Sequence, residues 1–470
     1  MASILSTSLT ALTSYQRALT TVGHNIANAD VEGYSRQEVV FTTKPPSFAG
    51  SGWIGSGVEV STVERRYDQF LADQVRTSRT ASGESEVYYA YAKQLDDLFA
   101  DPELGLDPVL QRYFNALNGV ANDPSSIPAR EVLLAEGEAL ADRFHFLVQR
   151  GSEIADGVNR DIAGTVADIN TLAKGIAELN QVIVESGGMS GQPPNDLLDQ
   201  RDQLINELSS LVRVTYYDEG DGVVNVFVGN GQSLVIGGKA ASLGVGLNAT
   251  SPVIYYYSDG SRQDVTNQMT GGRLGGLVQF RGQVLDASME RLDQVAFDLI
   301  SGVNDVHRDG TALDGVTTGL SFFGRAGVVD PDALEALPVA GAASQIQLAI
   351  GDAREVAAAW DGGPSDNRNA LALAALQREK LALGDTATVQ GAYAQMVADV
   401  GSRTRTAELD ATAQQGLLMR AEEAHSAVSG VNLDEEAAKL MHYQQAYQAA
   451  AQAIAIAQTL FEAVINAMRR

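Results

Sequence analysis

Apolar residues near the start of the chain recur at every seventh position. Leu5, Leu12, Leu19 and Ile26 form one row, and Ser8, Tyr15 and Val22 occupy the complementary spacing. Such a row, with no proline before Pro45, predicts a helix carrying one seam of the coiled-coil kind. The far end repeats the pattern. Leu433, Leu440, Tyr447, Ile454, Phe461 and Met468 run as an unbroken ladder, and Tyr443, Ala450, Ala457 and Val464 fill the second seam position, which Glu436 interrupts at its start. Glycine and proline are absent from Val431 onward, so the pattern predicts a terminal helix of about 35–40 residues, roughly 50 Å or more at 1.5 Å per residue. Asn432 stands where an N-cap belongs, with acidic residues in the turn that follows. The small Ala450 and Ala457 let a partner helix come close. A one-striped helix of this length needs a surface to lie on, and the N-terminal segment is long enough to cover only part of it.

Between the ends the period changes twice. Val158, Ile162, Ile169, Leu172, Ile176, Leu179 and Ile183 predict a helix over about 152–186, ended by "SGGMSGQPP" and followed by another helix with Asn195 as its cap. Earlier helices are expected over about 67–99 and 109–149, with breaks near Pro102, Pro108 and Pro124. After Leu211 the apolar positions alternate: "VRVTYY", "VVNVFV", "SLVI" and "VIYYY" read as strands separated by the turns "DEGDG", "GNG" and "SDG". Helical period resumes near Gly276, lapses over a glycine-, alanine- and aspartate-rich stretch at 310–365, and returns to the C-terminus. The expected fold is therefore mainly α with an inserted all-β domain. It is an elongated multidomain protein with paired N- and C-terminal coiled-coil helices, an interior helical bundle and a β-rich outer domain. The expected boundaries are 1–66 with 431–470 for a discontinuous terminal coiled-coil assembly domain, and 67–211, 276–310 and 366–430 for the interior bundle. Residues 212–275 make the β-rich domain and 311–365 a small mixed insertion.

Charge sharpens this picture. The chain of 470 residues has a formal charge of −26, yet residues 1–44 balance Arg17, Arg36 and Lys44 against Asp30, Glu32 and Glu38, and the last forty residues are almost neutral. The acidic middle repels phosphate, so nucleic acid is excluded as a partner. Both terminal helices could belong to one bundle, but neutral ends flanking an acidic middle favour packing between molecules. Aromatics at 6% and two tryptophans fit aliphatic helix packing. Without cysteine there are no disulfides and no thiolate metal sites. The start has no basic and apolar signal sequence, and no run approaches the roughly 18 apolar residues of a membrane span, so no membrane association is expected.

Candidate chemistry is sparse. The five histidines are scattered, and no H-E-x-x-H, G-x-S-x-G, P-loop or strand-following G-x-G-x-x-G occurs. Asp305, His307, Asp309 and Gly310 imitate the start of an EF-hand, but Val316 stands where the bidentate glutamate belongs. "DEGDG" (Asp218 to Gly222) offers three carboxylates, which a hairpin turn also needs. No catalytic residue, metal ligand or cofactor is expected.

Three segments carry a resemblance. "NIANADVEGYSRQ" (Asn25 to Gln37) resembles the signature of the flagellar rod/hook axial protein family, and its "GYSRQ" ending is similar to that of the hook–filament junction members. "PNDLLDQRDQLINELS" (Pro194 to Ser209) and "SGVNLDEEAAKLMHYQQAYQAAAQAI" (Ser429 to Ile454) resemble interior and C-terminal motifs of the same group, in the same order. The chain is compact for the family, which implies a reduced outer domain. The resemblance implies a structural role at the hook–filament junction, export through the flagellar type III channel to an extracellular position, and self-assembly into a ring. It implies as partners the hook protein, the second junction protein and a cytoplasmic export chaperone on the C-terminal helix. Free ends of such proteins are disordered and fold into paired helices on assembly. The seam residues are then the assembly residues. Asn25 and Asn28 are expected to cap the first helix and bond across the bend with left-handed backbone angles, Gly33 to permit the turn, and Tyr34 to pack back onto it. Another axial protein, of hook or distal rod, or a secreted calcium-binding adhesin built on the acidic β region, are the competing readings.

Overall fold

A computed structural model describes residues 2–48, 52–190, 192–220, 222–248, 251–258, 260–328, 330, 333–334 and 336–469. The first helix, α1, spans Ala2–Ala27. Its successor departs from expectation. The described residues between 37 and 65, assigned above to a helical terminal domain, form a β arm in which β1 (Gln37–Thr43) pairs antiparallel with β4 (Val58–Arg65). The shorter β2 (Ser47–Phe48) and β3 (Trp53–Ile54) pair further along the arm. β-Branched residues at alternate positions of "VEVSTVER" drive this. The signal is weak because Val39 is the one residue of β1 that becomes buried. The arm lies along α1, where Ser14 Oγ donates to Val58 O at 3.4 Å.

The interior opens with α2 (Gln69–Phe99), capped by Asp68, and α3 (Asp107–Asn122), with Pro108 in its first turn. Then α4 runs from Ile127 to Ser190 without interruption. A boundary near residue 150 was expected, and it does not exist. Gly151, which weakens a helix locally, is there for packing: a Cβ at that position would meet Met289 Sδ at 2.5 Å. A helix of 64 residues is about 96 Å long and forms the spine of the interior. The following α5 (Asn195–Leu211) is not capped by Asn195, whose amide instead donates to Val63 O of the arm at 2.8 Å.

The β region consists of a four-stranded antiparallel sheet and a three-stranded one. In the first, β5 (Val214–Asp218), β6 (Val224–Val228), β7 (Gln232–Ile236) and β8 (Lys239–Ala240) pair in sequence order. In the second, β10 (Ser251–Ser258) lies between β9 (Ser242–Asn248) and β11 (Ser261–Asp264). Their buried Val226, Val235 and Ile254 share one core with Ile162, Ile169 and Ile176 of α4. Two asparagines on α4 complete the join. Asn180 donates to Val224 O and Gly237 O at 2.8 Å each, and Asn170 both accepts from and donates to the backbone of Leu243. Edge backbone groups thus find partners on the spine.

The chain re-enters the helical layer through α6 (Gly272–Phe280), a π-helical turn at Arg281–Asp286 and α7 (Ala287–Asp309). The next stretch is short and mixed: β12 (Phe323–Arg325), α8 (Ala342–Gln345) and β13 (Ile346–Leu348), with β12 paired to β13. α7 holds it. Asn304 accepts from Phe322 N and Phe323 N at 2.9 Å each and donates to Phe323 O at 2.8 Å. His307, fully buried, bridges Leu320 O and Ala357 N at 2.7 and 2.9 Å. The carbonyl requires an N–H on Nδ1 and the amide requires a lone pair on Nε2, so the ring is held neutral. Burial pushes its pKa down from 6.5 to about 4. The folded chain therefore binds fewer protons than the unfolded one between these values. The contribution is complete above pH 6.5 and is lost as pH falls to about 4, on the order of 3 kcal/mol in total. Thermal melts across that window are expected to steepen for the native chain, and a His307→Gln variant to lose the added slope.

The helical remainder is α9 (Arg368–Ala375), α10 (Val389–Ser429) and α11 (Leu433–Met468). α10 packs along α2, and α11 along α1.

Candidate functional site

Three sequence motifs, far apart in the chain, meet where α1 ends. The bend begins with Asn28, whose side chain and backbone N–H both donate to His24 O, at 2.9 and 3.1 Å. Gly33 turns the chain at φ +80°, in the region that costs other residues most. A Cβ there would also press on Gln203 of α5 at 3.2 Å. Tyr34 lies against the end of α1, with its hydroxyl donating to Asn25 Oδ1 at 2.7 Å and lying 3.2 Å from His24 Nδ1. Burial among Asp196, Asp199 and Glu436 raises its pKa, so it remains a donor. Asn25 bonds across the bend, but not through the backbone angles expected of the asparagines. Neither is among the described residues with left-handed backbone angles, and Asn25 lies inside the helix. Its amide takes the place of a strand partner for Gln37, accepting from Gln37 N at 3.0 Å and donating to Gln37 O at 2.9 Å.

The second motif, on α5, grips the bend from the interior. Asp199 accepts from Ser35 N at 2.9 Å, and Asp196 accepts from Gln37 Nε2 at 2.8 Å. Arg65, at the end of β4, binds Asp199 at 2.8 Å and Asp202 at 2.7 Å, and Arg76 of α2 reaches Asp202 at 3.2 Å and Asn206 at 2.8 Å. The guanidiniums lie over the rings of Tyr67 and Tyr216 at 4.6 and 4.5 Å. Burial alone would lower the Arg65 pKa, but the two carboxylates outweigh it and raise it, so the cation is kept.

The third motif closes the junction. Arg36 N donates to Ser429 O at 2.8 Å and its guanidinium binds Glu435 at 2.6 Å. Asn432 caps α11, accepting from Asp434 N and Glu435 N. Glu436, fully buried, accepts from Asn25 Nδ2 at 2.9 Å and from Lys439 Nζ at 3.0 Å.

Beyond the junction α1 and α11 run antiparallel, with Tyr15, Phe41 and Tyr443 in a ring cluster at 6.0–6.3 Å. The faces turned towards each other belong to the second seam position: Ser8 and Val22 on α1, and Ala450 and Ala457 on α11, are buried. The ladder residues are less covered. Leu12, Leu19, Leu440, Tyr447 and Ile454 are half-buried, whereas Leu5, Ile26, Leu433, Phe461 and Met468 are exposed; of the second row, Tyr15 and Tyr443 are half-buried and Val464 is exposed. By length and composition the helical stretch Val389–Met468 holds a window apolar enough to cross a membrane, with only 6% of that window buried. Counting unbroken apolar runs passed over it because glutamines are spaced among its alanines.

Glu436, Arg36, Gln37, Asp199, Arg65 and Phe41 were not picked out from sequence. Arg36, Gln37 and Asp199 lie within the family-like motifs, and in sequence Glu436 is only a break in the seam. Of the EF-hand-like residues, Asp305 pairs with Arg308 and His307 points into the core. Among the described residues no group of three or more His, Asp or Glu could hold a metal ion. Asp221 of the "DEGDG" turn lies outside the described residues.

Comparison with known proteins agrees with this arrangement. The flagellar hook-associated protein FlgK helical domain matches residues 92–323, the flagellar basal body rod FlgEFG protein C-terminal family residues 424–467, and the flagella basal body rod protein family residues 5–34. A solved flagellar hook junction protein FlgK from Burkholderia pseudomallei shares the fold with a TM-score of 0.68 at 20% identity, matching 76% of this chain and 100% of that one. Flagellar hook-associated protein 1 of Bacillus subtilis is 29% identical over 99% of this chain and 98% of its own length. That of Salmonella typhimurium is 31% identical over 99% of this chain and 100% of its own, in an alignment of 553 residues, so the relative carries segments without a counterpart here. On this full-length identity the chain belongs to the flagellar hook-associated protein 1 family.

Proposed function

We propose that this chain is a structural part of the bacterial flagellum that joins hook to filament by packing its terminal helices against neighbouring subunits. The observation that carries the reading is the division of the two seams. Within one chain the second seam position of α1 and α11 is covered as far as Ala457, and the leucine ladders are left half-covered or bare. Exposed apolar surface of that extent is costly on a lone molecule and marks an interface. Residues 1–66 and 431–470 act as one assembly unit, paired as a coiled coil, and Leu5, Leu12, Leu19, Ile26, Leu433, Leu440, Tyr447, Ile454 and Phe461 contact other copies in a ring. Hook protein lies on one side and the second junction protein on the other. The junction of three motifs sets the angle between the helical pair and the interior. Before export through the flagellar channel, an uncovered α11 needs a holder in the cytoplasm, the role of an export chaperone. Electron microscopy of cells lacking the protein tests the reading: bare hooks, with filament subunits lost to the medium, are expected. Normal filaments on such cells would overturn it.

A further inference from the structure

The rows that pair α1 with α11 do not by themselves fix how far one helix is slid along the other. Tyr443, Ala450 and Ala457 recur every seven residues, as do Ser8, Tyr15 and Val22. A slip of one heptad, about 10 Å, would again set small or apolar side chains opposite one another. One pair breaks this degeneracy. Asn25 and Glu436 are both fully buried, and they are bonded to each other at 2.9 Å across 411 positions of sequence. Asn25 has its full complement of bonds. Its two amide hydrogens go to Gln37 O and Glu436 Oε2, and its carbonyl accepts from Gln37 N and Tyr34 Oη. Aspartate would lack both donors, and glutamine would carry the amide out of place. The two oxygens of Glu436 accept from Asn25 and Lys439. Glu436 stands in the same heptad row as Tyr443, Ala450 and Ala457, so a slip that brings the next member of the row opposite Asn25 exchanges it for Tyr443 and strands a carboxylate.

We propose that Glu436 and Asn25 are positioning residues that select the single register in which the terminal helices pair. The proposal rests on the pairing of the ends set out above and adds what fixes its alignment. A buried polar residue at one seam position is a known means of choosing register at a cost in stability. Leaving one member of a buried pair without its partner disfavours the slipped form by about 100-fold or more. Because the pair joins the first turn of α11 to the bend, the register also decides where along the assembled structure every outward leucine is presented.

The chain has no cysteine, so engineered pairs report register without background. Tyr15→Cys with Tyr443→Cys reads the observed register, since these rings lie 6.3 Å apart. Tyr15→Cys with Ala450→Cys reads a one-heptad slip. Each pair would be oxidised in the purified full-length chain and in flagellar preparations. With Glu436 present the first pair is expected to cross-link at least about tenfold more than the second, and Glu436→Gln, which keeps an acceptor for Asn25, is expected to preserve that ratio. Glu436→Leu is expected to bring the two pairs within about threefold of each other while helix content by circular dichroism is unchanged. A Glu436→Leu chain that still cross-links only in the observed register would overturn the proposal and leave the pairing intact. Failure of both pairs in both preparations of the otherwise native chain would overturn the pairing itself, and this proposal with it.

Discussion

Phe461→Asp stops filament growth while the purified chain melts as before, within about 0.5 kcal/mol. The two halves of that expectation come from the same geometry. Ala457 is the last buried residue of α11, and every described residue after it is exposed. Phe461 itself is 56% exposed, so a single molecule has little contact there to lose. In an assembly the ring would be covered by a neighbour, a gain of about 1.5–3 kcal/mol per side chain. An unpaired carboxylate in its place would instead have to be stripped of water, at far greater cost, in every copy of the ring. Ile454→Asp supplies the contrast. Ile454 is half-buried in the lone chain, so this variant should lose both assembly and some helix at the C-terminus. Melting curves together with electron microscopy and swimming assays separate the two. Normal filaments built from Phe461→Asp would show that the outward ladder is not an interface.

Heptads were the most legible feature of the sequence, because a period of seven sustained over five or six repeats has few rival explanations. Asn432 was legible for a similar reason, since a cap and its acidic first turn are local. What sequence hid was whatever depends on a partner far along the chain. Glu436 looked like a fault in the seam because its partner, Asn25, lies 411 positions away. Asn25 looked like a cap because asparagines near helix ends usually are; its buried position in the last turn of α1 lets it serve Gln37 and Glu436 instead. Gly151 and the following serine read as a stop, since propensity disfavours glycine in a helix and nothing in sequence reveals that Met289 would fill the space. The β arm was missed on other grounds. Its strands bury almost nothing, so its alternation is faint beside the strong heptads of α1. The three family-like motifs were each visible as strings, but their convergence on one bend is a fact of the fold, carried by Arg36, Asp196, Asp199 and Asn25.

That convergence depends most on Arg65. Its side chain is 13% exposed and holds two carboxylates, Asp199 at 7% and Asp202 at 15%. Arg76 can serve Asp202, whereas Asp199 has no other cation among the described residues and would be left with the N–H and hydroxyl of Ser35. Arg65→Met should therefore cost about 3–5 kcal/mol, the usual penalty for breaking a buried pair by removing one member. Arg65→Lys should recover only part of it, because a single ammonium cannot reproduce a fork that spans two acids. The loss carries a sign in pH. Burial already raises the Asp199 pKa in the native chain, against the opposing pull of Ser35 and Arg65, and without Arg65 it rises further above the value of about 3.9 in the unfolded chain. The folded variant then binds the extra proton, and its defect shrinks as pH falls through that raised pKa towards 4. A neutral partner should do the same at pH 7: adding Asp199→Asn, whose carbonyl still accepts from Ser35, should restore a large share of the stability lost in Arg65→Met. Because Ser35 belongs to the bend, exchange of its amide hydrogen should accelerate in Arg65→Met and slow again in the double variant. Thermal melts at pH 7 and 4.5, with hydrogen exchange over residues 33–37, measure all of this. A loss under about 1 kcal/mol, or one that grows as pH falls, would mean that the bend is held by Gln37 and the Arg36–Glu435 pair rather than by the buried acids of α5.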